Sequence, residues 1–197
     1  MWPASNSGWF KDAKGFQGQI LGGWQLVGIT TFRTGLPQNI CEDSDYTGAR
    51  GEACYRPDLV SNPNLSKGDR TLQRFFDPNG YVLQPLGTFG TAARNLVVGP
   101  GINDTDFSIF KNFSIPWFGG GGADTLAGES AKLEFRAEFF NVFNHTQFSG
   151  LNTTFVPQTD SSGNPIAGLP ADPSSGLGVI TDARDPREIQ FGLKFIF

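Results

Sequence analysis

Side chains able to carry chemistry are few in this chain of 197 residues, which contains one histidine, His145, and two cysteines. A Ser–His–Asp triad would have to use His145, but its position at the end of a predicted strand favours an interfacial or loop role. The cysteine spacing predicts no metal site, and no EF-type loop is present. The sequence therefore favours a protein that is not an enzyme and has no catalytic residue, metal ligand or cofactor.

The two cysteines, Cys41 and Cys54, lie close together in one long segment between predicted strands. In an exported protein they would form a local disulfide, whereas in a cytoplasmic protein they would remain free thiols. Export therefore predicts a bond between them.

Glu134 and Glu138 are paired carboxylates that could do acid–base work, but they alternate with Lys132 and Arg136. Positive and negative charges alternate at every second position, which favours a ladder of charges along one face of a barrel wall. Large apolar residues occupy the intervening positions of residues 131–139. This period of two predicts a β-strand with one charged face and one apolar face.

The same alternation recurs in residues 105–115 and 187–197, and more weakly in 20–35, where Val27 and Ile29 break it. We predict four strands near 20–35, 105–116, 131–144 and 187–197. Two long loops, 36–103 and 145–186, separate the strands, whereas the segment between the second and third strands is short and rich in glycine.

Two hypotheses account for such strands. One is an antiparallel sheet in a soluble domain, with one face packed on a core. The other is an outer-membrane barrel, with the apolar face toward lipid and the polar face toward the lumen. Phe and Trp near the strand ends, full charges on the polar faces, and alternating short turns and long loops favour the barrel. The predicted fold class is therefore all-β, with antiparallel transmembrane strands and two long extracellular loops.

The barrel hypothesis assigns a direction to each strand residue. The candidate lipid-facing residues are Trp24, Phe107, Ile109, Phe113, Leu133, Phe135, Phe139, Phe191, Leu193 and Phe195. The candidate lumen-facing residues are Gln25, Arg33, Asp106, Ser108, Lys132, Glu134, Arg136, Glu138, Gln190 and Lys194.

Composition narrows the classes of partner. The net charge is −4, and no basic stripe points to a nucleic-acid partner. No apolar run approaches the length of a transmembrane helix.

Four strands cannot close a barrel, since the smallest bacterial barrels use about eight, and the first residues lack the pattern of a signal peptide. We therefore expect a C-terminal piece of a longer protein, with residues 1–17 as a periplasmic turn or truncated lead-in and 18–197 as barrel.

Several short motifs, in order, resemble the barrel segment of TonB-dependent outer-membrane receptors of the Oar-like type. They are residues 22–26 (GGWQL), 33–37 (RTGLP), 89–95 (FGTAARN), 99–101 (GPG), 106–112 (DFSIFKN), 135–145 (FRAEFFNVFNH) and 182–191 (DARDPREIQF). The stretch 135–145 is the most specific of these, and the resemblance covers most of the chain from about residue 18.

The resemblance implies a barrel of about 22 strands, plugged by an N-terminal domain that this chain lacks. It implies energy-coupled uptake of a bulky, unknown ligand. The implied partners are outer-membrane lipid, the rest of the barrel and its plug, TonB through the missing part, and the barrel assembly machinery. Two alternatives remain, a non-transport adhesin or surface-assembly protein on the same barrel, and a soluble all-β binding module.

The last residue, Phe197, has the parity of the lipid-facing set. The resemblance implies that a C-terminal strand ending in an aromatic residue is recognised for membrane insertion, which makes Phe197 a candidate insertion signal. The alternative is that Phe197 only covers a hydrophobic edge.

Overall fold

The computed structural model describes residues 22–115 and 131–196. The predicted lead-in, the glycine-rich segment and Phe197 lie outside these residues. The chain forms two compact units. The first, called here the sheet unit, comprises the described residues up to Thr31, those of 104–145, and those from Pro186 onward. The second, called the loop unit, comprises residues 32–103 and 146–185.

The strands of the described residues follow in chain order. They are β1 (Trp24–Arg33), β2 (Pro37–Gln38), β3 (Cys41–Glu42), β4 (Asp58–Leu59), β5 (Tyr81–Val82), β6 (Val97–Val98), β7 (Ile102–Ile115), β8 (Ala131–Phe140), β9 (Phe148–Leu151), β10 (Thr154–Phe155), β11 (Ile180–Ala183) and β12 (Glu188–Ile196). Two short 3-10 helices, Pro78–Gly80 and Pro173–Ser175, complete the regular structure of this part of the chain.

The four long strands form one sheet in the order β1-β7-β8-β12. Strand β8 pairs antiparallel with β7 on one side and with β12 on the other. Strand β1 also runs antiparallel to β7, because Trp24 lies near Lys111 while Thr30 bonds Thr105. The predicted all-β, antiparallel class therefore holds for the four long strands.

The predicted strand bounds need correction in three places. The third strand ends at Phe140 rather than 144, because Asn141 and Asn144 adopt positive φ angles of 49° and 51°. Asparagine tolerates this left-handed conformation better than most residues, and it stops the extended chain. The second strand begins earlier than predicted, at Ile102, and the first ends at Arg33.

The loop unit is built from both predicted loops. Its strands are two to four residues long and form four separate pairs, of which β3 with β10 is parallel and the others antiparallel. The β3–β10 and β9–β11 pairs, together with bonds such as Cys41 N–H to Thr153 O at 3.1 Å, tie the unit together. Its core contains Ile40, Phe76, Tyr81, Leu83, Ala92, Val97, Phe155, Ala171 and Leu177.

This core joins residues from 36–103 to residues from 146–185. Phe76 and Tyr81 meet edge to face, with ring centroids 6.2 Å apart, and Phe155 is fully buried. Burying several large side chains in this way is what a long irregular segment needs to hold one conformation. The segments predicted as loops therefore form a folded unit with its own hydrophobic core.

Candidate functional sites: the two faces of the sheet and the loop unit

The register of the sheet gathers the ten candidate lipid-facing residues on one face. In the β7–β8 pair, Phe107 lies opposite Phe139 and Phe113 opposite Leu133. In the β8–β12 pair, Phe191, Leu193 and Phe195 lie opposite Ala137, Phe135 and Leu133. Directly opposed residues project to the same side of a sheet, so these residues share a face. We call it the aromatic face.

Ring contacts run across the aromatic face. Phe135 meets Trp24 edge to face at 6.2 Å and stacks on Phe191 at 6.4 Å. Many of these side chains are nonetheless open, since Phe191 and Leu193 are 71% and 70% exposed. Exposed apolar patches of this kind mark contact with a partner or with a membrane.

Lys111 is an exception on the aromatic face that the sequence pattern did not single out. It lies directly opposite Phe135, yet it is only 2% exposed. Its Nζ lies 4.8 Å from the Trp24 ring centroid and 4.9 Å from the Phe113 ring centroid. It also donates a 2.7 Å hydrogen bond to the carbonyl oxygen of Gly22. The ammonium group is therefore stabilised by two rings and a backbone acceptor.

The opposite side of the sheet, called here the charged face, carries the ladder expected from residues 131–139. Arg136 lies between Glu134 and Glu138, with nitrogen–oxygen distances of 3.5 and 3.7 Å. On β12, Lys194 lies opposite Glu134, and Gln190 lies opposite Glu138. Positive and negative side chains therefore alternate along β8, and Lys194 of β12 faces Glu134. Arg136 separates the two glutamates, which would otherwise repel each other.

The charged face is not uniformly polar. Phe110 lies opposite Arg136 and packs under its guanidinium, 4.9 Å from ring centroid to Cζ. Val27 and Ile29, which break the sequence pattern, share the parity of Gln25 and are exposed. The charged face therefore also carries apolar side chains, of which Val27 and Ile29 are exposed.

The remaining candidate lumen-facing residues follow the same parity, and two have further roles. Ser108 lies opposite Glu138. Asp106 accepts a 3.0 Å hydrogen bond from the backbone N–H of Asn141, just after β8 ends. Lys132 lies opposite Ile196. Arg33 belongs to the loop unit and lines a cavity there.

His145 lies in the turn that follows β8. Its backbone N–H donates to Asn141 Oδ1 at 2.9 Å, and its carbonyl accepts from Asn141 Nδ2 at 3.0 Å. The side chain of Asn144, in the same turn, accepts a hydrogen bond from the backbone N–H of Arg187 at 3.1 Å. This segment therefore closes the edge of the sheet where β8 ends and β12 begins.

The two cysteines are bonded to each other in the loop unit, with Cα atoms 5.0 Å apart. The cysteines are 13 positions apart in the sequence, and the segment between them is organised by Asp45. Its carboxylate accepts from the Thr47 hydroxyl at 2.7 Å and from the backbone N–H groups of Thr47, Gly48 and Arg50. These bonds, that of the Thr47 hydroxyl first, hold the pKa of Asp45 below its ordinary value.

Glu42, next to the disulfide, is buried at 8% exposure, and neither carboxylate oxygen has a hydrogen-bond partner of standard geometry. Burial is the main cause that raises its pKa from 4.5 to about 7. The nearby Gln84 amide opposes this rise, whereas the charges of Asp43, Asp45 and Asp58 add to it. Near neutral pH, Glu42 is therefore poised between its protonated and ionised forms.

Cavities in the loop unit differ in charge. One, of about 560 Å³, has Arg33, Lys67 and Arg70 in its wall and no carboxylate among the described residues that line it. A smaller one, of about 120 Å³, is lined by Arg56 and Arg94 together with Glu52. The first therefore carries an uncompensated positive charge.

Residues 22–115 and 131–196 contain no group of three or more His, Cys, Asp or Glu able to hold a metal ion. In the same residues, no helix is long and apolar enough to cross a membrane.

Comparison with known proteins identifies the family to which the chain belongs. A family model described as "Outer membrane beta barrel domain" matches residues 2–190. That match covers nearly the whole sequence, so the chain belongs to the outer membrane beta barrel domain family. The protein accordingly resides in the cell outer membrane, in contact with lipid. Neither the curated proteins nor the solved structures contain a significant match to the chain.

Proposed function

We propose that this chain forms part of the barrel wall of a TonB-dependent receptor of the Oar-like type, which takes up a bulky ligand with energy from the inner membrane. Family membership supports the barrel, and the motifs of residues 106–112 and 135–145 support the finer type. The proposal includes no catalytic step.

The observation that carries the proposal is that the register of the sheet places apolar side chains on one face and charged side chains on the other. Phe135 and Leu193, directly opposed, lie on the aromatic face, and the next pair, Glu134 and Lys194, lies on the charged face. A barrel wall needs this arrangement, with apolar residues toward lipid and polar residues toward the lumen. We therefore assign the aromatic face to lipid and the charged face to the lumen.

The edges of the four-stranded sheet support a larger barrel. Within the described residues, β1 and β12 each pair on one side only. An unpaired strand edge in hydrocarbon leaves backbone groups unsatisfied, at several kcal/mol each. The proposal therefore includes further strands and a plug domain, with TonB and the barrel assembly machinery as partners.

The long connections supply the ligand-binding side. Strand β8 is antiparallel to both β7 and β12. The start of β7, the end of β8 and the start of β12 therefore lie at the same end of the strands. Long loops of outer-membrane barrels face the cell exterior. We therefore assign the loop unit to the exterior, where its folded core can hold a ligand-binding surface in one shape.

The test is retention of TonB by the whole receptor. Purified outer membranes that contain the full-length protein are mixed with the periplasmic domain of TonB, and co-sedimentation is measured against membranes from a deletion strain. We expect retention that depends on the receptor. Equal amounts in the two membranes would overturn the transport proposal and favour the second candidate.

That second candidate is a non-transport adhesin or surface-assembly protein on the same barrel. The observation in its favour is the loop unit itself, which has a hydrophobic core and a disulfide. A rigid external surface of this kind suits adhesion without transport. Membership in an outer-membrane family disfavours the third alternative, a soluble binding module.

A further inference from the structure

The 560 Å³ cavity of the loop unit, called here the basic cavity, has an unusual combination of walls. Arg33, Lys67 and Arg70 supply three positive charges, and Phe32, Val98 and Ile102 supply apolar surface. Pockets of 300–1,000 Å³ are typical of sites for small organic ligands. Apolar walls with a few charged groups suit a ligand that has an apolar body and an acidic group.

The backbone around the basic cavity is fixed by close packing. Strands β2 and β6 pair, and the N–H of Gly99 donates to the carbonyl of Leu36 at 2.9 Å. A Cβ on Gly35 would collide with the carbonyl oxygen of Gly99, and one on Gly101 would lie 2.7 Å from the carbonyl oxygen of Arg33. Glycine is therefore required where the two segments meet, and the cavity wall is preformed.

Arg70 is held in place before any ligand binds. Its Nε donates to the carbonyl of Leu65 at 3.1 Å, and its guanidinium lies 4.9 Å from the Phe75 ring centroid. The terminal nitrogens of a guanidinium held in this way remain able to bind two oxygens of one anion. Pre-organisation lowers the entropy cost of binding.

The charge of the basic cavity contrasts with that of the chain. The protein carries 19 acidic residues against 15 Lys and Arg, yet no carboxylate lines this cavity among the described residues. None of the ion pairs found in the described part of the chain involves Arg33, Lys67 or Arg70. Three cations gathered without counter-ions repel one another, and an anion would relieve that repulsion.

We propose that the basic cavity binds the phosphate group of an amphipathic phosphate ester, with the apolar part of the ligand against Phe32, Val98 and Ile102. A phosphate monoester carries between one and two negative charges at neutral pH and three acceptor oxygens, which match three cations. The ligand is either the headgroup of a lipid or a soluble ester. This site does not depend on transport or on TonB.

The experiment uses the full-length protein in non-ionic detergent and hexyl phosphate as the probe, with binding measured by calorimetry. We expect saturable binding that weakens as salt is raised. Arg70→Gln and Lys67→Gln should each lower the affinity about tenfold or more, since each removes a charge-assisted contact. Lys67 is exposed, so its variant should fold even if the Arg70 variant does not. The matched control is Arg94→Gln, in the cavity that also contains Glu52, and it should leave the affinity unchanged.

Two further probes define the ligand. Inorganic phosphate should bind more weakly than hexyl phosphate, because it makes no apolar contacts. Mixed micelles that contain phosphatidate should compete with hexyl phosphate if the natural source is a lipid, and should not compete if it is a soluble ester; both results fit the proposal. Absence of hexyl phosphate binding, or equal affinity in the Lys67→Gln and Arg94→Gln variants, would overturn it.

Discussion

Lys111 and Trp24 form a cation–π pair on the aromatic face, with the ammonium nitrogen 4.8 Å from the ring centroid. An ammonium group facing lipid would be costly unless it reaches polar partners. Here the stem of Lys111 runs among aromatic rings and its nitrogen reaches the carbonyl of Gly22. The two rings and the carbonyl oxygen offset part of the cost of holding the charge on this face, and the apolar stem of Lys111 packs with its neighbours.

The first prediction concerns this pair. Lys111→Met keeps an unbranched side chain but loses the two ring contacts of the charge and leaves the Gly22 carbonyl without this donor. We expect the free energy of unfolding of the barrel to fall by about 1–2 kcal/mol. The measurement is the temperature at which purified barrel loses its compact mobility on gels. Lys111→Arg is the control and should retain most of the stability, whereas a Met variant as stable as wild type would contradict the role of the charge.

The second prediction concerns the direction of the two faces in β8. Phe135→Arg places a charge among Trp24, Phe191 and lipid, at a cost of roughly 2–4 kcal/mol near the bilayer midplane. Glu134→Gln removes one partner of Arg136 on the charged face, where a partly exposed pair is worth about 1 kcal/mol or less. Folded barrel in outer membranes is measured for both variants. Equal losses would contradict the assignment of the faces.

The third prediction concerns pH and Glu42. Its pKa is 4.5 in the unfolded chain and about 7 in the folded protein, so between these values the folded form holds the extra proton. The free energy of unfolding of the loop unit should therefore fall as pH rises from about 4.5 to about 7, by at most about 3 kcal/mol. Glu42→Gln should remove this fall and stabilise the unit at pH 8. Protease resistance of the loop unit at pH 5 and pH 8 provides the measurement.

Glu52→Gln is the matched control for Glu42, since Glu52 is an exposed glutamate in the same segment. It should keep the pH dependence of wild type. A Glu42→Gln variant with an unchanged pH profile would assign the profile to another group.

The fourth prediction concerns Cys41 and Cys54. Without reductant, neither should react with maleimide in the native protein, and a bond that closes a loop of this size stabilises by roughly 3 kcal/mol. Replacing both with Ser should make the loop unit more sensitive to protease. The folded barrel should keep its compact mobility on gels before heating. Labelling of both residues in non-reduced protein would contradict the bond.

The strands were predictable because their side chains repeat with a period of two. Leu133, Phe135 and Glu134 alternate so regularly that the pairing of β8 with its neighbours follows from one face being apolar. Lys111 was not recognised, because a lysine within a Phe-rich run is visible in the sequence, but the Trp24 ring and the Gly22 carbonyl reach it only through the pairing of β7 with β1.

The core of the loop unit was not predictable from periodicity. Its strands are too short to show any, and contacts such as the pairing of Phe155 with Glu42 span more than a hundred positions. The charge of the basic cavity is hidden for the same reason, since Arg33 lies well before Lys67 and Arg70 in the sequence. Phe197, the candidate insertion signal, lies outside the described residues and stays a prediction.

The most direct test of the barrel account uses the adjacent residues Leu193 and Lys194. Each is replaced by Cys, labelled with a fluorophore, and studied in bilayers that contain nitroxide-labelled lipid; the native disulfide leaves no other thiol among the described residues to react. The account predicts strong quenching by the lipid for the label at 193 and weak quenching for the label at 194. Equal quenching at the two positions, or stronger quenching at 194, would contradict the assignment of the aromatic face to lipid.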